Sequence, residues 1–153
     1  MSDSEMIRRA IDNRVAPLQR DPSPVARPAG GWVRAVRTAL AMSTTDLARR
    51  LGVTPVAVRK LEASERAATV RLETLQRAAD ALGCDLVYAF VPRTSLTEFA
   101  EARARDVAAA QVRRVDNTMA LEDQRVHSDD LELLRSERAR VLLAGRDLWR
   151  DEP

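Results

Sequence analysis

Thr44–Glu62, TTDLARRLGVTPVAVRKLE, decides how this chain reads. Apolar residues at Leu47, Leu51, Val53, Val58 and Leu61 supply the packing points of two short crossed helices, with the small Ala48 where they come closest. Gly52 stands between them, where a turn takes φ > 0 and only glycine adopts it cheaply. Thr54 is a good N-cap for the second helix, and Pro55 suits its first position because the missing N–H has no intrahelical partner there. A turn of this kind followed by a short basic helix is the arrangement that lays one helix in the DNA major groove.

Working outward, Trp32–Met42 reads as a preceding helix facing inward through Val33, Val36, Leu40 and Ala41. Ala63–Val70 reads as a loop. Arg71–Leu82 reads as a closing helix through Leu72, Leu75, Ala78, Ala79 and Leu82, stopped by Gly83. Upstream, Ser4–Arg20 carries Met6, Ile7, Ile11 and Val15 at helical spacing, with Pro17 expected to end or kink it, and the Pro/Gly-rich Asp21–Gly31 reads as a linker. Downstream, Asp85–Val91 (DLVYAFV) is strand-like and ends at Pro92. With no second strand of similar quality nearby, it is expected to pair across a homodimer through Leu86, Val87, Tyr88, Ala89, Phe90 and Val91, the alternative being burial as an extended tail on its own bundle. Thr94–Val126, with Leu96, Phe99, Ala100, Ala104, Val107, Ala108, Val112, Val115 and Met119 on one side, reads as a long helix, and Asp129–Ala144, showing Leu131, Leu134, Val141 and Leu142, as another.

The expected fold is therefore mainly α: a repressor-like helix-turn-helix bundle, one short β-strand, and a C-terminal helical arm. Its segments are 1–31 (N-terminal helix and linker), 32–84 (helix-turn-helix domain), 85–92 (strand) and 93–153 (dimerisation or partner arm).

The chain of 153 residues has a net charge of only +2, so the overall balance says little about partners. Its distribution says more. Residues 32–92 carry nine Arg/Lys against six Asp/Glu, whereas 93–153 carry eleven Arg against thirteen acids, which puts the basic excess on the helix-turn-helix. The single cysteine, Cys84, cannot form an internal disulfide and is expected to be a buried small residue in a reducing cytoplasm. No apolar run approaches the roughly 18–20 residues of a membrane span, and MSDSEMIRRA does not resemble a signal peptide. His127, the one histidine, lies near Asp123, Asp129 and Asp130 and reads as a solvated connection; no metal site, cofactor or catalytic constellation is expected.

The stretch Trp32 to about Leu86 resembles the Xre/phage-repressor class of helix-turn-helix proteins, and LETLQRAADALGCDL, Leu72–Leu86, resembles that family's closing helix. The resemblance implies an ion pair between Arg37 of the first helix and Glu62 late in the recognition helix. A narrower likeness runs through GWVRAVRTALAMSTTDLARRLGV, LQRAADALGCDLVYAFVPR and VDNTMALEDQRV, which together resemble the group called mobile mystery protein A. Members of that group are encoded beside a Fic-domain protein, so the resemblance implies a transcriptional regulator acting as an antitoxin-like partner of a Fic-domain toxin. Thr94–Glu98 also has the spacing of the inhibitory helix of Fic antitoxins, although Phe99 stands where Gly or Asn is expected.

With Val58 and Leu61 inward, Pro55, Val56, Arg59 and Lys60 face out. The family's usual glutamines at the first two helical positions are replaced by Pro55 and Val56. That replaces bidentate adenine readout with contact of Val56 on a thymine methyl and guanine recognition by Arg59 or Lys60, beside Thr54 at the helix start. Ser43 and Thr44, at the start of the preceding helix, and Ser64 and Arg66, after the recognition helix, are candidate phosphate contacts. Two functions follow: a homodimeric repressor reading an inverted repeat in double-stranded DNA, or a protein–protein module whose C-terminal helices silence a partner enzyme.

Overall fold

The computed structural model describes residues 2–121 and 127–150, the side chains of 119–121 excepted. The elements are α1 (Asp3–Arg20), a 3-10 turn at Ser23–Val25, α2 (Trp32–Ala39), α3 (Thr44–Leu51), α4 (Pro55–Arg66), α5 (Leu72–Ala81), α6 (Leu96–Leu121) and α7 (Ser128–Ala144). They belong to two compact units, Pro22–Ala89 and Met1–Asp21 with Phe90–Pro153.

In the unit Pro22–Ala89, Val33, Leu47, Ala48, Val58, Ala78 and Leu82 form the core, with Val36, Met42, Leu51, Leu61 and Leu75 packed around it. Leu47 of α3 and Val58 of α4 are wholly buried and hold the two helices of the motif together. Truncating Leu47 to alanine would cost about 2–5 kcal/mol, by lost burial and the cavity left behind. Between them, Gly52 takes φ 68°, and the Val53 N–H closes the turn on the Ala48 carbonyl at 2.9 Å. The Thr54 hydroxyl then accepts the Ala57 N–H, starting α4 with Pro55 at its head. Helix α4 is longer than expected. It continues through Ala63–Arg66, read above as loop, because that stretch holds no helix breaker and Glu65 finds partners inside the unit. It stops where Ala68 turns to φ 56°.

In the other unit, Ala100, Ala104 and Ala108 make a small-residue stripe on α6 against Ala139 and Leu142 of α7, completed by Val107 and Leu148. Alanines four residues apart share one helix face and let two backbones approach closely. Phe99 and Val115, read on one side of the long helix with these alanines, are exposed, as are Leu134 and Val141 of α7, since the alanine stripe takes the contact. Phe99 stacks on Trp149 with ring centroids 5.7 Å apart. Met119 and the end of the long helix expected at Val126 lie outside the described side chains. Helix α1 packs on α6, buries Val15, and runs past Pro17 to Arg20, so the proline does not end it. The Asp12 carboxylate crosses from α1 to accept the N–H groups of Leu96 (2.7 Å) and Thr97 (3.2 Å). Ser95 and Glu98 complete that helix start as a reciprocal capping pair. Thr94–Glu98 thus serves locally to begin α6.

Further expectations are corrected: Leu40, Ala41, Val53 and Leu72, read as packing positions, are exposed. Among the described residues there is no β-strand: residues 85–92, read as a strand, run without a ladder. The local composition favours extension, but a strand exists only where a neighbour pairs its backbone, and no segment among the described residues forms a ladder with it. Cys84, expected to be buried, is exposed, because α5 ends before it and the chain leaves the core there.

Candidate nucleic-acid interface

Helix α4 presents two faces of opposite chemistry. Val56, Arg59, Lys60 and Ala63 recur at three- and four-residue spacing and are all exposed, one stripe along the outer surface. Among the described residues nothing pairs with Arg59, Lys60 or Arg66, so each cation is free to meet an outside anion. Pro55, expected to face out, is half-buried at the helix head, as is Ala57, and Thr54 is exposed although its hydroxyl is engaged in the cap.

The inner stripe is Val58, Leu61, Glu62 and Glu65. Arg37 of α2 donates from Nε to Glu62 Oε1 at 2.7 Å and from Nη2 to Oε2 at 3.3 Å, and its Nη1 reaches the Met42 carbonyl at 2.9 Å. Both side chains are largely covered, at 13% and 7% exposure. Such a fork fixes the separation and rotation of two helices; its net stabilisation is small against desolvation, whereas removing one partner leaves a charge stranded.

Glu65, one turn further on, was not singled out from the sequence. It is 3% exposed, and its carboxylate accepts the N–H groups of Trp32 at 2.7 Å and Val33 at 3.0 Å. It therefore caps α2, whose own N-cap, Gly31, has no side chain to do so. Arg27 donates to the Glu65 carbonyl, drawing the linker onto the same point. Gly31 sits at φ 86°, and a Cβ there would stand 2.7 Å from Glu65 Oε2. The signal available in the sequence was an uncapped helix start after Gly30-Gly31 and an acid at the inward spacing of α4. Glu62 and Glu65 together grip α2 at its last turn and its first, which fixes the outer stripe of α4 relative to the rest of the unit.

Ser43 forms a reciprocal capping box with Asp46: Asp46 Oδ2 accepts the Ser43 N–H at 2.8 Å and its hydroxyl at 2.5 Å. Those bonds from the Ser43 side chain and then its backbone, opposed by partial desolvation and aided by Arg49, hold the Asp46 carboxyl below the usual aspartate range. The donors of Ser43 are therefore already turned to an anion of the chain itself, while Thr44 is half-buried beside it. At the other end of α4 the Ser64 hydroxyl donates to the Leu61 carbonyl at 2.8 Å, and the Arg66 side chain is exposed. The outer stripe and Arg66 lie on one helix; Ser43 and Thr44 lie at the start of its neighbour. Leu86–Val91 is not part of this surface: Val87, Tyr88 and Phe90 stand 82%, 68% and 88% exposed beyond α5.

Residues 33–88 match a family model described as Helix-turn-helix, of the Xre type. That family comprises DNA-binding regulators and is not a family of enzymes. No curated protein and no solved structure matches the chain. No helix among the described residues is long and apolar enough to cross a membrane.

Proposed function

We propose that this chain, a DNA-binding regulator through its helix-turn-helix at 33–88, is a homodimeric repressor of its own gene and the antitoxin-like partner of a Fic-domain protein. The observation that carries the DNA-reading part is the outer stripe of α4, with two unpaired cations over a locked inner face. Arg59 and Lys60 donate to guanine O6 and N7, and Val56 packs on a thymine methyl. Thr54 and Pro55 lie at the groove entrance. Thr44 and Ser43 on one flank and Ser64 and Arg66 on the other meet phosphates, with Arg66 the strongest of the four because its charge is unpaired. Two copies, joined through the apolar run Leu86–Val91, place their recognition helices roughly 34 Å apart on half-sites of an inverted repeat. The Fic-domain partner is supported by the resemblance of the sequence to mobile mystery protein A. A regulator of this kind works at the nucleoid in the cytoplasm.

A gel-shift titration on the DNA upstream of the gene, with scrambled competitor, tests the reading. A specific shift lost in Arg59→Ala/Lys60→Ala is the expected result; no specific shift with the wild-type chain overturns it. One observation favours a second reading, a clamp on a partner enzyme. The unit of α1, α6 and α7 has its own core and exposes the Phe99–Trp149 stack, with Arg103 5.8 Å from the Trp149 ring. Binding through several phosphates weakens by orders of magnitude between about 50 and 200 mM salt, and an apolar clamp does not.

A further inference from the structure

Beside α2 and α5 lies an apolar groove of about 360 Å³, walled by Val25, Trp32, Val36, Leu75, Leu82 and Cys84. Its rim is formed by Leu86 and Val87, the start of the apolar run that then leaves the surface. Leu86 is half-buried against its own groove, whereas Val87 and Tyr88 stand in solvent. Tyr88 is not among the residues lining the groove of its own copy.

We infer that this groove is the seat of Tyr88 and Val87 from a second copy of the chain, an exchange of apolar side chains that deepens, and rests on, the reading of the protein as a dimeric regulator. Symmetry supports this occupant. The run borders its own groove, so a two-fold axis passing alongside it lays each copy's run over the other's groove, and one operator covers both. A foreign partner seated in the groove would leave the run itself in water. The area is also sufficient. The exposed parts of Val25, Trp32, Val87 and Tyr88 come to roughly 500 Å² per copy, or about 1,000 Å² for the pair, the threshold of a specific interface. An apolar run so exposed is a liability for a monomer and ordinary for an interface.

The single native cysteine provides the test. Cys84 lines the groove, and in one copy an unbent chain holds residue 88 about 13 Å from it, beyond disulfide reach. Oxidation of full-length Tyr88→Cys therefore gives dimers in which Cys84 of one copy is joined to the thiol introduced at position 88 of the other. Peptide mapping identifies that link, and Cys84→Ser in the same background removes it. The expected result of light scattering is a dimeric wild-type chain and a Tyr88→Asp variant about 100-fold weaker in association or more, from a charge forced into an apolar seat. Tyr88 is exposed, so the substitution does not disturb the fold. A monomeric wild-type chain, a dimer indifferent to Tyr88→Asp, or dimers that yield no link between Cys84 and position 88 overturn the inference. Anisotropy titration of the same samples on upstream DNA separates the two readings. Specific binding without the link removes the groove and keeps the regulator; the link without specific binding does the reverse.

Discussion

Replacing Glu65 by glutamine tests whether one buried carboxylate holds the recognition helix to α2. In the native unit its two oxygens receive two backbone N–H groups at 2.7 and 3.0 Å, at a helix start with no other cap. Glutamine keeps one acceptor oxygen but presents an NH₂ to the second N–H, and removes the charge that favours a helix N-terminus. A lost cap costs about 1 kcal/mol, and a buried donor left without a partner about 1–3 kcal/mol. Partial retention places Glu65→Gln at roughly 1–2 kcal/mol and Glu65→Ala at roughly 2–4 kcal/mol. Because Trp149 lies in the other unit, a Trp149→Phe background leaves Trp32 to report on Pro22–Ala89 alone. With a urea slope near 1 kcal/mol/M for a unit this small, the glutamine midpoint falls by about 1–2 M at unchanged slope. DNA affinity should fall as well, since the outer stripe of α4 is set by the same contact. A midpoint within about 0.3 M of wild type, where ~0.3 kcal/mol is the noise of such a comparison, would refute the capping role.

Gly31→Ala should cost about 1–3 kcal/mol, from positive φ and the approach to Glu65, measured by the same urea titration. Arg37→Met or Glu62→Leu alone should destabilise by about 3 kcal/mol, and the double variant by less than their sum; simple additivity would dissolve the pair. Arg59→Ala/Lys60→Ala should leave the thermal midpoint unchanged, weaken specific DNA binding at least tenfold and relax its sequence preference, whereas Arg66→Ala, a phosphate contact, should lower the salt slope by about one. Asp12 gives a pH signature. Partial burial raises its pKa, but the hydrogen bonds from Leu96 and Thr97 and the charge of Arg8 outweigh this and hold the carboxyl below 3.8. A depressed folded pKa contributes stability above the unfolded value and loses it as pH falls through the folded one. The stability gap between wild type and Asp12→Asn should therefore be full above about pH 4 and close below it, and a gap that persists in acid contradicts the assignment.

The sequence alone determined the helix-turn-helix, because every signal that defines it is local. Gly52 turns where only a glycine turns cheaply, Thr54 and Pro55 start a helix by their own chemistry, and Leu47 and Val58 fall on the inward spacing. The outward stripe of Arg59 and Lys60 follows from the same periodicity. What only the tertiary structure decided depends on partners far along the chain. Glu65 is a surface acid by composition and a buried cap only because Gly31, two helices earlier, leaves an empty helix start for it to fill. Asp12 begins a helix more than 80 residues downstream, a contact no local pattern encodes. DLVYAFV has the composition of a strand, yet strand is a property of two segments, and among the described residues the second is missing. Local propensity chose the helices and turns; long-range pairing of polar groups set where they stop, how they are fixed to each other, and which apolar residues stay outside.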